Sequence, residues 1–125
     1  MERDVRRVEI RLDDKFGQLQ PFDIRAEAAA VEPWFNQPLT TVNDAVVRLG
    51  VLEGEFHWHK HDAEDEFFLV LGGELQIDVE DRDTIVLGPD QAVTIPKSIL
   101  HRPRAPERTV VVMVERATVV PTGDV

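Results

Sequence analysis

The chain has 125 residues and a net charge of −10. A chain of this length is expected to fold as one domain, residues 1–125, and its acidic field repels phosphate groups, which argues against nucleic acid and membranes as partners. The absence of cysteine and tyrosine excludes disulfides, thiolate metal sites and a phenol as catalytic acid or base. Because the N-terminal sequence has no apolar signal core and no apolar run could span a bilayer, we expect a cytoplasmic protein.

The first part of the chain predicts a short edge strand and a short helix. Apolar and charged residues alternate over residues 8–12, as in a strand with one buried face. Asp23 is a favourable helix cap ahead of the alanine-rich segment 24–31, and Pro33 would end the helix. We expect this helix to pack on the outside of a sheet.

The segment around Pro33 and Pro38 is interpreted as a loop. It carries Trp34, Phe35 and Leu39, which we expect to seal the core because aromatic and aliphatic side chains dominate buried surface.

From residue 42 the pattern becomes that of β-strands. If residues 42–56 continue without a bulge into the segment that follows, Val47, Leu49 and Val51 share a face directed into a barrel. Gly54 weakens this inference, because a glycine inside a strand can mark a bulge or a bend.

Three histidines follow at a spacing of two: His57, His59 and His61. In a strand this spacing places all three imidazoles on one face, with Phe56 and Trp58 on the outer face. Four residues of strand cover roughly 13 Å, so one metal ion cannot easily bind both outer histidines, whereas an adjacent pair can converge on it.

Two further side chains complete a candidate metal site. A polar turn at residues 62–65 is followed by Glu66, which begins an apolar run typical of a buried strand. The returning strand can bring Glu66 over His59 and His61, and His101 is a candidate from far along the chain. Three imidazoles and a carboxylate suit a divalent ion of iron, manganese, nickel, zinc or copper.

The rest of the chain predicts more short strands. Strand patterns occupy residues 74–80, 84–87, 92–95 and 110–114, followed by an extended tail over residues 118–125. Leu75, Ile77 and Val79 should point inward, with Asp78 outward. Short strands separated by turns at this spacing predict an all-β jelly roll or closed antiparallel barrel.

At these residues the chain resembles the cupin superfamily. The first cupin motif, G-x5-HxH-x3,4-E-x6-G, is matched by His59, His61, Glu66 and Gly73, with Gly54 one residue too close to the histidines. The second motif, G-x5-P-x-G-x2-H-x3-N, keeps its proline and histidine. The retained residues are Pro96 and His101, and the replacements are Asp90, Ser98 and Ala105.

The resemblance is to small single-domain bacterial cupins with a jelly roll like that of mannose-6-phosphate isomerase. It implies a double-stranded β-helix (jelly-roll) cupin barrel with a short N-terminal helix and a motif core over residues 42–114. It also implies a divalent metal inside the barrel, near one mouth. The implied ligands are His59, His61, Glu66 and His101.

Three functions are compatible with this site. The first is a metal-dependent enzyme acting on a small organic molecule as a dioxygenase, isomerase or decarboxylase, in which Glu66 or His57 moves a proton. The second is a non-catalytic module that binds or senses a small ligand, and the third is a structural homodimer with a degenerate site. His57 could instead line the pocket or hydrogen-bond a ligand. Arg102 and Arg104 could anchor a substrate carboxylate or balance surface charge.

A homodimer is expected as well. The apolar residues Val46 and Leu52 and the two-faced apolar segment 110–114 are compatible with a subunit contact.

Overall fold

The structure, a computed structural model, describes residues 8–124. These residues contain eight strands and one short helix. Residue 125, the last of the predicted tail, lies outside them. The elements are β1 (Glu9–Ile10), α1 (Ile24–Ala29), β2 (Phe35–Val42), β3 (Ala45–Glu55), β4 (Glu66–Gly72), β5 (Leu75–Val79), β6 (Ile85–Leu87), β7 (Ala92–Ile95) and β8 (His101–Arg116). Within residues 8–124, no helix has the length and apolar character needed to cross a membrane.

The long strand β8 connects the whole β-structure. It pairs antiparallel with β3 along most of its length, with β5 through its first residues and with β4 through its last ones. β7 extends the sheet from β4, β6 extends it from β5, and β2 and β1 extend it from β3. Because one strand belongs to both halves, the sheet curls around an apolar interior. The molecule is therefore the all-β jelly roll that the sequence predicts.

The helix α1 begins and packs as predicted. The Asp23 side chain caps it by accepting a hydrogen bond from Ala26 N at 3.0 Å. Ala28 faces a buried cluster with Leu49 and Val51 of β3 and Val110 of β8. This cluster lies outside the barrel and seals the outer face of the sheet.

Val47, Leu49 and Val51 would share a face with the histidines only in a strand without a bulge, and the structure does not meet that condition. The pairing of β3 with β8 shifts register between Leu52 and Gly54, so the strand contains a bulge there. One extra residue moves every following side chain to the other face. Leu52 consequently belongs to the interior cluster, whereas Leu49 and Val51 pack under the helix.

The segment interpreted as a loop is the strand β2, which is the second correction. Pro38 occurs where the pairing of β2 with β3 shifts register, so its missing N–H falls at a bulge, where a sheet tolerates proline. The predicted packing is confirmed: Trp34, Phe35 and Leu39 are all buried.

Candidate metal centre

The histidine segment is a loop rather than a continuous strand. His59 makes an isolated antiparallel bridge to His101 at the start of β8. The two backbones exchange both hydrogen bonds, His59 N to His101 O and His101 N to His59 O, each 2.9 Å long. Two residues distant in sequence are thereby held side by side, with their ring centroids 4.5 Å apart.

His61 and Glu66 reach the same place from the far end of this loop. Ser98 N donates to His61 O at 2.8 Å, which ties the loop to the β7–β8 connection. Glu66 is the first residue of β4 and pairs with Ile95 on one side and Glu115 on the other. The prediction that Glu66 begins a buried strand is confirmed.

The four predicted ligands converge in the barrel. One ligand atom from each lies within 4.8 Å of all the others. Their exposed fractions are 7% for His59, 2% for His61, 7% for Glu66 and 1% for His101. Polar groups buried this closely together need mutual hydrogen bonds or an ion to offset their lost hydration. The cluster is a candidate site for a divalent metal.

Two of the imidazoles are already oriented for metal binding. His59 Nδ1 donates to the His57 carbonyl at 3.0 Å, and His101 Nδ1 donates to the Ile99 carbonyl at 2.9 Å. A carbonyl can only accept, so both rings carry a proton on Nδ1 and leave Nε2 with its lone pair. Histidine ligands are commonly oriented in this way by a backbone carbonyl on the other nitrogen.

His61 lacks comparable partners. Among the described residues, neither of its buried ring nitrogens has a hydrogen-bond partner, although Nε2 lies 3.4 Å from Glu66 Oε1. An imidazole buried without partners is costly. A metal ion bound by one of these nitrogens would remove part of that cost, so the residues present fit a metal.

The electrostatics favour a cation at this place. Burial, reinforced by the two nearby imidazoles, lowers the pKa of His59 to about 4. Burial acts to raise the pKa of Glu66, but the imidazoles of His101 and His61, whose Nε2 atoms lie 3.3 and 3.4 Å from Oε1, outweigh it and hold that pKa well below its usual range. For His61, burial lowers the pKa, but the Glu66 carboxylate 3.4 Å away outweighs it, so the pKa of His61 is raised overall. Near neutral pH the site therefore presents an ionised carboxylate beside a neutral His59 ring.

A buried ion pair behind Glu66 was not predicted from the sequence. Arg48 Nε lies 2.8 Å from Glu115 Oε2, with side chains 5% and 1% exposed. Arg48 also donates to Asn36 Oδ1 at 3.1 Å. Burial and the charge of Glu66 raise the pKa of Glu115 against the opposing effect of Arg48. The signal that could have revealed this pair is Arg48 itself, a charged residue inside an otherwise apolar strand.

His57 lies outside the four-ligand cluster. It is exposed, and its Nε2 donates to the Thr122 carbonyl at 2.7 Å. Its ring stacks on Phe56, with centroids 4.2 Å apart. The assignment of His57 as a proton-transfer group stays a prediction.

A small apolar cavity adjoins the cluster. Its volume is about 30 Å³, and His59 and Glu66 lie at its polar end. Trp34 and Phe56 stack with centroids 5.1 Å apart and form one wall. The assignment of Phe56 to the outer face is therefore wrong, because the residue lies in the loop, where strand alternation does not hold. Trp58 does lie outside and is 44% exposed.

The two arginines that follow His101 bind a carboxylate of the chain itself. Arg102 Nη2 and Arg104 Nε each lie 2.7 Å from Asp78 Oδ2. Hydrogen bonds from Arg104, and then from Thr84 and Arg102, outweigh the effect of burial and lower the pKa of Asp78 below its ordinary value. Asp78 points outward as predicted but is covered by these side chains, so in this structure the arginines clamp the outer face of β5 to β8.

Known proteins resemble the chain in sequence and in structure. A model of the cupin domain family matches residues 45–116. The "Uncharacterized protein YdbB" of Bacillus subtilis (strain 168) is 48% identical over 80 residues, which cover 64% of this chain and 71% of that protein. A cupin-2 domain containing protein from Shewanella frigidimarina NCIMB 400 matches with a TM-score of 0.72 and 31% identity, over 76% of this chain and 93% of that one.

An enzyme is also among the solved structures with this fold. Hydroquinone 1,2-dioxygenase from Sphingomonas sp. TTNP3, solved with 4-hydroxybenzoate bound, matches with a TM-score of 0.73 and 18% identity. The match covers 81% of this chain and 33% of the dioxygenase. At this identity the likeness concerns the fold alone.

Proposed function

Because the chain belongs to the cupin family, we propose that it is a metal-dependent enzyme acting on a small organic molecule. The observation that carries the proposal is the set of four buried side chains whose ligand atoms lie within 4.8 Å of one another. We assign His59, His61, Glu66 and His101 as the ligands of one divalent ion. Three imidazoles and one carboxylate accept iron, manganese, nickel, zinc or copper, so the donor set leaves the metal open.

The ligand side chains prepare this site before any ion binds. The backbone bridge between His59 and His101 fixes two rings, and their Nδ1 hydrogen bonds direct Nε2 to the centre. Glu66 supplies a negative charge, which offsets part of the charge of a divalent ion. The chemistry that a bound ion supplies is polarisation of an oxygen ligand or, with a redox-active metal, electron transfer.

Two residues are proposed to move a proton. Glu66 Oε1 lies 3.3 Å from His101 Nε2 and 3.4 Å from His61 Nε2, so its carboxylate is inside the reacting volume. His57 is at the rim of the site, with a ring centroid 5.3 Å from that of His59. Because its Nε2 is engaged by the Thr122 carbonyl, His57 can exchange a proton with a substrate through Nδ1 or after that bond opens.

The walls of the site indicate the type of substrate. Trp34, Phe56, Leu52 and Met113 line the cavity next to the polar end formed by His59 and Glu66. An apolar wall facing a cationic centre suits a small molecule that carries an oxygen donor on an apolar body. We propose dioxygenation, isomerisation and decarboxylation as the reaction types to test.

The experiment is a turnover assay with metal-loaded protein. Oxygen uptake and product formation are measured with iron, manganese, nickel, zinc and copper forms, over small hydroxy- and keto-acids and hydroquinone. Turnover that depends on the metal and disappears in His101→Ala supports the proposal. Tight metal binding without turnover across the panel contradicts the enzymatic part.

A non-catalytic, ligand-binding role is the second candidate. The observation that favours it is the cavity volume of about 30 Å³, which holds only a few water molecules. A sensing or storage protein could use such a small site without turnover. Saturable binding of a panel compound to the metal-loaded protein, with no product formed, would favour this second function.

A further inference from the structure

We propose that residues 117–124 form a strap that closes the metal site, and that an organic ligand reaches the site only when the strap lifts. This inference rests on the proposed function, since it concerns access to the same site. The strap follows β8 and returns across the loop that carries the histidines. Its first turn is fixed by Ala117 N donating to Asp44 O at 2.8 Å, and Val119 is buried.

The far end of the strap is bound to the histidine loop itself. His57 Nε2 donates to Thr122 O at 2.7 Å, and Asp124 N donates to Lys60 O at 2.8 Å. Asp62 N donates to the Asp124 carboxylate at 2.6 Å. These contacts alternate with the ligand residues along the loop, so the strap and the ligand loop are attached directly to each other. His57 therefore helps to hold the strap on the histidine loop through its hydrogen bond to Thr122 O.

Gly123 is the residue that lets the strap lie on the site. Its φ of +96° is a conformation that side chains rarely adopt. A Cβ added there would lie 2.5 Å from His59 Cβ and 3.1 Å from His59 Cγ and Cδ2. The backbone of Gly123 therefore rests on the His59 side chain, and any larger residue must push the strap outward.

The strap also limits the size of the site. Pro121 lines the cavity of about 30 Å³ together with Trp34 and Phe56. This volume accepts only a few water molecules and is too small for an organic ring. A substrate larger than that needs a wider site, and the strap is held over it by surface hydrogen bonds that water can replace. The strap is thus a specificity-determining segment as well as a cover.

The test compares Gly123→Ala with Gly72→Ala. Both add one methyl group, but a Cβ at Gly72 meets nothing within 4 Å. Asp124→Ala is a second strap variant, which removes the acceptor for Asp62 N without adding bulk. Two rates are measured in each protein. They are the carbethoxylation of His59 by diethyl pyrocarbonate in the metal-free protein, resolved by peptide mass spectrometry, and the release of bound zinc to a chelator.

The proposal expects both rates to rise about tenfold in Gly123→Ala, because a lifted strap exposes the site more often. Gly72→Ala should stay within about twofold of the unmodified protein, as expected away from the strap. If Gly123→Ala does not fold, Asp124→Ala must show the increase. A His59 modification rate that is unchanged in the folded strap variants overturns the strap, and so does unchanged zinc release in a protein that binds zinc. A chain that binds no metal contradicts the proposed function, while the modification rate still decides the strap.

Discussion

At the scale of single residues, the Glu66 carboxylate lies beside a second buried carboxyl group, Glu115, which is paired with Arg48. Arg48 and Glu115 form a buried ion pair with almost no exposed surface, and Glu115 pairs with Glu66 in the sheet. Arg48 acts to lower the raised pKa of Glu115, so without Arg48 the Glu115 carboxyl would take up a proton and lose its partner. The interior of this barrel therefore depends on one arginine to tolerate two neighbouring carboxyl groups.

We expect Arg48→Met to lower the free energy of unfolding by about 1–3 kcal/mol, because the buried carboxyl of Glu115 would lose its hydrogen-bonding partner. Arg116→Met is the control, since the Arg116–Asp44 pair is 3.8 Å long and its side chains are 57% and 85% exposed; a change of about 0–1 kcal/mol is expected there. Urea denaturation measures both. Equal stability of the two variants would show that the buried pair does not support the barrel.

Asp78 gives a pH-dependent prediction at the same scale. Its folded-state pKa lies below the value of about 3.9 of an unfolded chain, chiefly because of Arg104. A lowered carboxyl pKa stabilises the fold fully above about pH 4, and the contribution is lost as pH falls through the folded-state pKa. We expect Asp78→Asn to be less stable than the unmodified protein at pH 7, by about 1–3 kcal/mol.

That difference should shrink as pH is lowered from 4 towards 2, because protonated Asp78 resembles the amide. Thermal melts between pH 4 and pH 2 measure this difference in stability. Asp14→Asn is the control, because Asp14 is exposed. A difference that stays constant with pH would mean that the charge of Asp78 contributes nothing.

At the scale of elements, the turn from β4 to β5 must approach β8 closely. Gly73 has φ +89°, and a Cβ there would lie 2.7 Å from the Arg108 carbonyl and 2.8 Å from Thr109 Cα. Thr109 also accepts from Glu74 N and donates to Glu74 O, each at 3.0 Å. The contact leaves no space for a side chain.

Gly73→Ala should therefore destabilise the fold by about 2–4 kcal/mol, from the clash and from the unfavourable φ together. The adjacent Gly72→Ala has open space around its new methyl group and should change the stability by less than about 1 kcal/mol. Chemical denaturation of the two variants measures the difference between their free energies of unfolding. Two equally stable variants would contradict the close packing of this turn on β8.

Strands could be predicted from the sequence where alternating apolar and polar residues show which side chains face the interior. The alternation at Leu75, Ile77 and Val79 predicted β5, and all three side chains are buried. β2 was missed because two prolines resemble loop signals unless the bulge that accommodates Pro38 is known. The face of Val51 could not be predicted for a similar reason, since a bulge after Leu52 is set by pairing with β8 and leaves little mark in the sequence.

The candidate site was predictable for a different reason. The spacing of His59, His61 and Glu66 is local, and His101, a candidate from far along the chain, was supported by its match to the second cupin motif. Arg48, Glu115 and the strap could not be placed in the same way, because their proximity to the site follows from strand register and from the return of the chain after β8. Long-range pairing, rather than composition, fixes those contacts.

At the scale of the whole molecule, the homodimer stays a prediction. Val46, Leu52 and most of the segment 110–114 are buried within the chain itself, so these residues no longer argue for a subunit contact. The expected mass at micromolar concentration remains that of two chains, measured by light scattering or sedimentation. A mass of one chain would refute the dimer and leave the candidate metal site unaffected, because its four residues come from one chain.

At the same scale, the proposed function requires one cation to be bound inside the barrel by His59, His61, Glu66 and His101. Metal ions can be counted by mass spectrometry of purified, metal-saturated protein, for the unmodified chain and for His59→Ala, His101→Ala and His57→Ala. We predict about one ion per chain in the unmodified protein and in His57→Ala, and nearly none when His59 or His101 is removed, because each supplies one of four ligands. Full metal content in His101→Ala, or none in the unmodified protein, would contradict the account.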